Sequence, residues 1–478
     1  MRSVLRRENY VTEKFKKRRS IFELKSINQI YDEIVELYLY DKRPWVVGFS
    51  GGKDSTCVLQ LIWYALAKIP PKKRKKDIYV VSSDTLVEIP IVEDHILNMH
   101  QAIKNEAENQ RLPIIPVLVK PNIKDTFWVN LIGRGYPAPS TTFRWCTERM
   151  KINPTSVFIL DKVTQYGEAT IVLGARKAES ATRAQVLKKG KEKGFAHEVL
   201  PRHTTLPNAY IYTPIEDFST DDVWTYLLQM SNPWGANNHD LLAMYRSANA
   251  GECPLVIDKS TPSCGNSRFG CWVCTLVKRD RAMEAIIDDG EEWLVPLLEF
   301  RDLLSKTQTP SLKSKYRDYR RRSGQLSYKR DGGLIRGPYH FKFRGELLKR
   351  LLTIQKQLPE DKDLQLITIP ELHEIRKIWR IEEQDWEDSV PKIYREVYGD
   401  DLHWEYDDMV DLGVLERDAL AKVATEHNLP ETLLRQLLDV ERLHHGMSRR
   451  TKVFSNIDTV LSKEWRSEEA ILAEINKG

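Results

Sequence analysis

The stretch SGGKDS, Ser50 to Ser55, sets two adjacent glycines among hydroxyls, an ammonium and a carboxylate. It follows the strand-like run VVGF and precedes a helix-like run that starts near Asp54. Glycines let the backbone pack close to a ligand, and a helix N-terminus at that point aims several N–H groups and a positive dipole end at an anion. The chemistry this favours is phosphate binding. The spacing from the first glycine to Lys53 is too short for G-x-x-x-x-G-K-[ST], and the order is not G-x-G-x-x-G either. A ligand-free tight turn would account for one glycine, but poorly for the six residues together.

The second chemical set is sulfur. Six cysteines in 478 residues are too few for a disulfide scaffold, and four of them, Cys253, Cys264, Cys271 and Cys274, crowd into one segment. In a reducing compartment that clustering suggests a metal site. Four thiolates bind zinc tetrahedrally or hold an iron–sulfur cluster. The cysteines are separated by ten, six and two residues. Structural zinc more often takes two close pairs, and only CWVC is close here, which favours a [4Fe-4S] cluster over zinc. Unliganded core thiols are a third reading, against the lack of a periodic apolar pattern in the segment. Cys146, in FRWCTERMKINP, is flanked by Arg144 and Arg149 and precedes a predicted helix. Positive neighbours and a helix N-terminus favour thiolate, so Cys146 is the leading candidate for a reactive sulfur. Cys57 lies on the buried side of the helix after the glycine turn and reads as packing.

These groups need a scaffold that brings distant segments together. Short apolar runs, VVGFS, Ile78 to Asp84, Ile114 to Lys120, Ala169 to Arg176 and Ile211 to Ile215, alternate with helically spaced segments such as Thr155 to Tyr166. That order predicts an α/β domain, a parallel sheet with helices on both faces. Ser219 and Asp222 form a capping-box pattern at the start of its last helix. The expected division is a basic arm over 1–30, the α/β domain over 31–245, the cysteine segment with a basic and aromatic extension over 246–350, and a mainly helical, partly acidic region over 351–478. The extension holds thirteen Lys/Arg against three Asp/Glu between 311 and 350, interleaved with tyrosines and phenylalanines. Such a block suits phosphate contacts and base stacking. It also suits pairing with the acidic residues of 360–418 in the same chain.

SGGKDS after VVGF resembles the pyrophosphate-binding loop of the ATP pyrophosphatase (PP-loop) class, whose fold is adenine nucleotide alpha-hydrolase-like and whose members cleave ATP between the α and β phosphates. The resemblance implies that Ser50, Gly51, Gly52, Lys53, Asp54 and Ser55 bind ATP, with Lys53 neutralising phosphate charge and Asp54 helping to hold Mg2+. IYVVSSDTLVEIP, carrying Asp84 and Glu88, and LGARKAESATR, carrying Arg176, Glu179, Ser180 and Arg183, are similar to elements of phosphoadenosine-phosphosulfate reductases, as is PIEDFSTDDVWTYL. Solvated surface arginines are the plainer reading of Arg176 and Arg183.

Over roughly residues 20 to 350, the order of these motifs with RWCTERMKINP, C-x6-C-x2-C and the basic extension most closely resembles the DndC family, the sulfurtransferases of bacterial DNA phosphorothioate modification. That resemblance implies an enzyme that adenylates a nonbridging phosphate oxygen of DNA and replaces it with sulfur. Lys53, Asp54, Arg176 and Cys146 would be catalytic. A cysteine desulfurase and the other phosphorothioation subunits would be partners, and in this family Cys146 is an alternative to Cys253 as fourth cluster ligand. A phosphoadenosine-phosphosulfate reductase is the competing enzyme, although those typically end with a cysteine for the sulfite step and none follows Cys274 here. A tRNA thiolase and a non-catalytic nucleotide- and cluster-binding regulator are further alternatives. No run approaches the roughly 18 apolar residues of a membrane span. The first residues lack the apolar core of a signal peptide, so a cytoplasmic address without membrane contact is expected.

Overall fold

The computed structural model describes residues 19–177, 200–248, 270–360, 364–404, 414–444 and 452–475. They fall into two compact units. The described residues of Met1–Asp84, Ile89–Lys120 and Lys151–Phe269 form unit 1, and those of Thr85–Glu88, Pro121–Met150 and Gly270–Gly478 form unit 2. The units interleave along the chain, whereas the sequence reading drew successive boundaries at 30, 245 and 350.

Unit 1 is built on five parallel strands, β1 (Trp45–Gly48), β2 (Ile78–Ser83), β3 (Ile114–Val119), β4 (Ala169–Val172) and β5 (Ala209–Tyr212), in the order β3-β2-β1-β4-β5. Trp45 stands opposite Ile78 on one side and Thr170 on the other. Because strand side chains alternate, each strand feeds two cores. Trp45, Val47, Ile78 and Val80 pack with Ile34 of α1 (Ile27–Tyr40), Leu59 and Ile62 of α2 (Lys53–Ala67), Ile103 of α3 (Pro90–Asn109), and Val223 of the later helix α5 (Thr220–Gln229). Val46, Tyr79, Val81 and Ile171 pack with Ile159 of α4 (Asn153–Tyr166) on the opposite face. Parallel strands require crossovers, and here α2 and α3 step outward from β1 to β3 while α4 returns on the other face to place β4 beside β1. The strand order therefore reverses between β1 and β4, where open parallel sheets bind ligands beyond the carboxyl ends of the strands.

Helix α2 is buried nearly all round, as its mostly apolar sequence requires. Cys57 within it is fully buried, and its thiol is pushed well above the ordinary value by burial and, secondarily, by Asp54. It is inert packing. The capping box at Ser219 forms as expected, each partner bonding the other's backbone. The fifth strand ends at Tyr212 instead of reaching Ile215, because Pro214 has no N–H to continue the ladder and the chain turns there. One more helix, α6 (Asn238–Ala248), follows.

Unit 2 is mainly helical. Helices α7 (Arg281–Asp288), α8 (Val295–Lys306), α9 (Phe341–Gln357), α10 (Ile369–Glu382) and α11 (Ser389–Tyr398) contribute fully buried residues such as Phe300, Leu351 and Trp379. Later helices α12 (Val414–Glu426), α13 (Glu431–His444), α14 (Val453–Leu461) and α15 (Glu468–Ile475) complete it, with a small apolar cluster between α13 and α14. The basic and aromatic extension differs from expectation. Tyr316, Tyr339 and Phe343 are buried and pack on one another, so they are not free to stack on bases. Arg344 is also buried, donating to the Gly133 carbonyl at 2.8 Å and pairing with Glu383 at 2.8 Å. Part of the block thus pairs with the acidic segment, as the composition allowed. No helix among the described residues is long and apolar enough to cross a membrane.

One buried contact at the end of β1 has a measurable signature. His100 of α3 sits against Phe49, with Nε2 2.7 Å from the Ser82 hydroxyl, and burial pushes its pKa down to about 4. The unfolded chain binds this proton below about pH 6.5 while the folded chain binds it only near pH 4, so stability falls as pH drops across that window. The expected loss is about 3 kcal/mol, and in urea denaturation series His100→Gln should flatten the slope between pH 6.5 and 4.

Candidate functional site

The glycine turn at the end of β1 explains its own sequence. Gly51 has φ +70°, a conformation that side chains other than glycine's rarely adopt. Gly52 is extended, but a Cβ there would lie 3.0 Å from the Tyr245 hydroxyl and 3.3 Å from Ser50 Oγ. The two glycines thus serve different needs, one torsional and one steric. The Gly52 N–H donates to Ser50 Oγ at 3.4 Å and the Lys53 N–H to the Tyr245 hydroxyl at 3.2 Å. Ser55 closes the turn, donating to the Gly52 carbonyl at 3.0 Å and accepting from the Ser50 N–H at 3.2 Å. Hydroxyl oxygens therefore occupy acceptor positions at the start of α2 that phosphate oxygens can fill.

Behind this turn lies a buried charge cluster. Asp54, 2% exposed, accepts from Lys53 Nζ through Oδ2 at 2.8 Å and from Arg176 Nε through Oδ1 at 2.8 Å. Arg176, also 2% exposed, comes from the turn after β4 and reaches the hydroxyl of Thr220, at the start of α5, at 3.2 Å. Two cations share one carboxylate beside the positive end of α2. Gly174 permits the approach, for a Cβ there would meet the Asp54 carbonyl carbon at 3.0 Å and Ser55 N at 3.2 Å. The third turn, after β5, also joins: Lys177 pairs with Glu216 at 2.6 Å and Asp217 at 2.9 Å, and the Glu216 bond chiefly raises its pKa. Lys177 is therefore held by PIEDF, while Arg176 faces the phosphate turn. Asp84, at the end of β2, pairs with Lys120 at the end of β3 at 3.0 Å.

Apart from the buried Cys57, the cysteines among the described residues lie in unit 2. Cys271 and Cys274 bracket a tight turn, with the Cys274 N–H donating to the Cys271 carbonyl at 3.0 Å. Residues 85–88 pair with this turn: Glu88 bridges Cys271, and Trp272 N–H donates to the Val87 carbonyl at 3.0 Å. Thr85 donates its one proton to Glu88 at 2.8 Å, so in its 3.2 Å contact with Cys271 Sγ the thiol is the donor. Glu88, expected at the nucleotide, lies against a cysteine turn. Arg301, fully buried, donates to the carbonyls of Cys274 and Lys278 at 2.9 Å each and also to that of Val277. Cys146 is half-buried in a single helical turn beside Trp145, which stacks on Phe127. Arg149 is drawn to Asp125 and the Tyr136 hydroxyl.

Glu179, Ser180, Arg183, Cys253 and Cys264 lie outside the described residues. Among the described residues, no group of three or more His, Cys, Asp or Glu is placed to hold a metal. Cys271 and Cys274 supply the geometry of a close C-x2-C pair, half of a four-thiolate set. Asp54 has the oxygen chemistry that Mg2+ takes, with both of its oxygens here on cations. Sequence reasoning missed Tyr245, which carries no motif; Gly174 was visible as a glycine at a strand end.

Residues 44–276 match the phosphoadenosine phosphosulfate reductase domain family. Over this stretch, which is just under half of the chain, the protein is similar to that family, a likeness that supports the PP-loop superfamily, and its parallel sheet has the α/β nucleotide-hydrolase-like form. The chain is also 29% identical over 193 residues to the uncharacterized protein MJ0066 of Methanocaldococcus jannaschii, across 40% of this chain and 33% of that one. It thus spans about a third of the length of that relative.

The close packing at Gly174 is testable. Gly174→Ala must push α2 from β4, with an expected loss of about 1–3 kcal/mol in urea denaturation and weaker ATP binding by calorimetry.

Proposed function

We propose that this chain is an ATP-dependent sulfurtransferase that activates a DNA backbone phosphate oxygen by adenylation and replaces it with sulfur. The observation that carries the activation half is Asp54 held between Lys53 and Arg176 at the N-terminus of α2, at the switch point of the sheet. The PAPS reductase-like domain supports chemistry related to sulfur transfer or reduction. The choice of DNA rests on the order of motifs shared with the phosphorothioation sulfurtransferases.

In this reading Ser50 to Ser55 bind the ATP phosphates. The loop N–H groups exchange the hydroxyls of Ser50 and Tyr245 for phosphate oxygens, at little reorganisation because they already point outward from the turn. Lys53 leaves Asp54 for the phosphates, while Arg176 keeps the carboxylate in place. Asp54 would hold Mg2+, which supplies charge neutralisation between the phosphates. Asp84, Glu88, Glu179, Ser180 and Arg183 belong to the proposed nucleotide site, Glu88 lying also beside the cysteine turn. A phosphate diester oxygen leaves poorly, whereas an adenylated one leaves as AMP, so the outer sulfur of a persulfide on Cys146 can displace it at phosphorus, and a thiol reductant then cleaves the S–S bond, leaving the sulfur on phosphorus and returning the Cys146 thiol. Cys271 and Cys274, with Cys253 and Cys264, would hold a [4Fe-4S] cluster, whose chemistry when bound is electron or sulfide supply. A cysteine desulfurase provides the sulfur, with other phosphorothioation subunits as partners in the cytoplasm.

Anaerobic full-length chain, given ATP, a cysteine desulfurase, radiolabelled cysteine and plasmid DNA or tRNA, is expected to release pyrophosphate and AMP and to label the DNA. Lys53→Ala should lower AMP release by about 10²–10³-fold, the scale of losing one preorganised charge contact. Cys146→Ser should keep AMP release and abolish label. Label in tRNA alone identifies a tRNA thiolase, sulfite release from phosphoadenosine phosphosulfate a reductase, and no pyrophosphate under any condition a regulator.

The cofactor assignment has its own readout. Anaerobic protein should be brown and contain iron and acid-labile sulfide, with both lost in Cys271→Ser. A colourless protein carrying zinc overturns the cluster, and iron loss in Cys146→Ser moves that residue into the ligand set.

A further inference from the structure

Unit 2 contains a cleft of about 640 Å³ that the activation chemistry does not use. Its volume is in the range of small-ligand sites, roughly 300–1,000 Å³. One wall is the segment from Tyr136 to Phe143, and the other carries Lys313, Arg317, Arg321 and Arg322. No acidic residue lines it.

The cationic wall is fixed by backbone oxygens. Arg317 donates to the Gly337 carbonyl at 2.8 Å and to that of Arg336 at 2.5 Å, and Arg321 also donates to Arg336, at 3.0 Å. Carbonyls hold a guanidinium in place without cancelling its charge. Only Arg322 of the four has a carboxylate partner among the described residues, Glu382 at 3.5 Å. Crowding shows in the titration of the wall: Lys313 and Arg317 are both held below their ordinary values, first by burial and then by neighbouring cations. Gly337 forms part of the lining and has no room for a side chain, since a Cβ would fall 1.6 Å from the Arg320 carbonyl oxygen.

The opposite wall supplies flat rings and hydroxyls. Ser140 and Phe143 exchange backbone hydrogen bonds of 3.1 Å across a tight turn that exposes Thr141, Thr142 and the Phe143 ring, 42% accessible. Phe143 lies beside Tyr136, ring centroids 6.0 Å apart, and the Arg322 guanidinium sits over the Tyr136 ring at 5.7 Å. The wall is anchored from behind, where Gln308 and Thr275 both donate to the Pro139 carbonyl, at 2.7 and 2.6 Å. Arginine forks fit phosphate, exposed rings stack on bases, and threonine hydroxyls suit sugar and phosphate oxygens.

We infer that this cleft is a second nucleotide site, taking a phosphate ester that carries a flat base, either as a free nucleotide or as one residue of a nucleic acid strand. It does not depend on ATP turnover in unit 1. Pyrimidine probes, UMP and single-stranded (dT)8, avoid the adenine-nucleotide loop and are titrated into full-length protein at several salt concentrations. Arg321→Glu/Arg322→Glu is expected to weaken binding at least tenfold and to lower the log–log salt slope for (dT)8 by about 2. Phe143→Ala should weaken UMP binding severalfold and leave inorganic phosphate binding unchanged. All three side chains are exposed, so thermal melts should match wild type. Binding of UMP alone assigns the site to free nucleotides, (dT)8 alone to a strand, and mutual competition to both. The proposal is overturned if neither probe binds, if the charge reversals leave affinity unchanged, or if ribose 5-phosphate binds as tightly as UMP.

Discussion

The buried carboxylate of Asp54 is the point on which unit 1 is organised. It ties the residue beside it to Arg176, 122 positions further along the chain, and through Arg176 to the start of α5. A buried ion pair adds little net stability over apolar packing, since desolvating the charges offsets most of their attraction, but removing one partner is severe. Its role is to fix position. With both oxygens of one carboxylate held by cations, the turn after β1 is ordered before any ligand arrives.

Much of the scaffold was legible because a parallel sheet writes itself as apolar runs between amphipathic helices. The five runs became five strands, of which β4 ends at Val172 and β5 at Tyr212, short of the runs that announced them. The phosphate turn was legible from residue types, and Arg176 from its place after β4. Tyr245 was not, because its contribution is a hydroxyl delivered from a helix nearly two hundred residues away. The setting of Glu88 was not legible for a related reason: its neighbours in sequence end a strand, while its partners in space include Thr85 and Cys271. Charge counts misled most over 311–350. Counting cannot separate Arg344, buried on a carbonyl and Glu383, from Arg321, exposed on the wall of a cleft.

The two chemistries divide between the units. Unit 1 has a turn of backbone N–H groups at a helix N-terminus with Lys53, Asp54 and Arg176 behind it, suited to phosphates. Unit 2 places Cys146, Cys271 and Cys274 among aromatic side chains, including Trp145 and Trp272. Trp272 packs against Trp128 and Phe300, so the cysteine turn rests on a rigid apolar floor.

Arg301 adds a consequence for how that turn meets its ligand. Its planar guanidinium holds the carbonyls of Cys274, Val277 and Lys278, so the loop has already surrendered much of its torsional freedom in the folded protein. Ordering a backbone residue takes on the order of 1–2 kcal/mol, and that loss is separated here from ligand capture. A cluster taken up at the C-x2-C pair, as proposed, would therefore meet a turn already in place, with little folding coupled to loading.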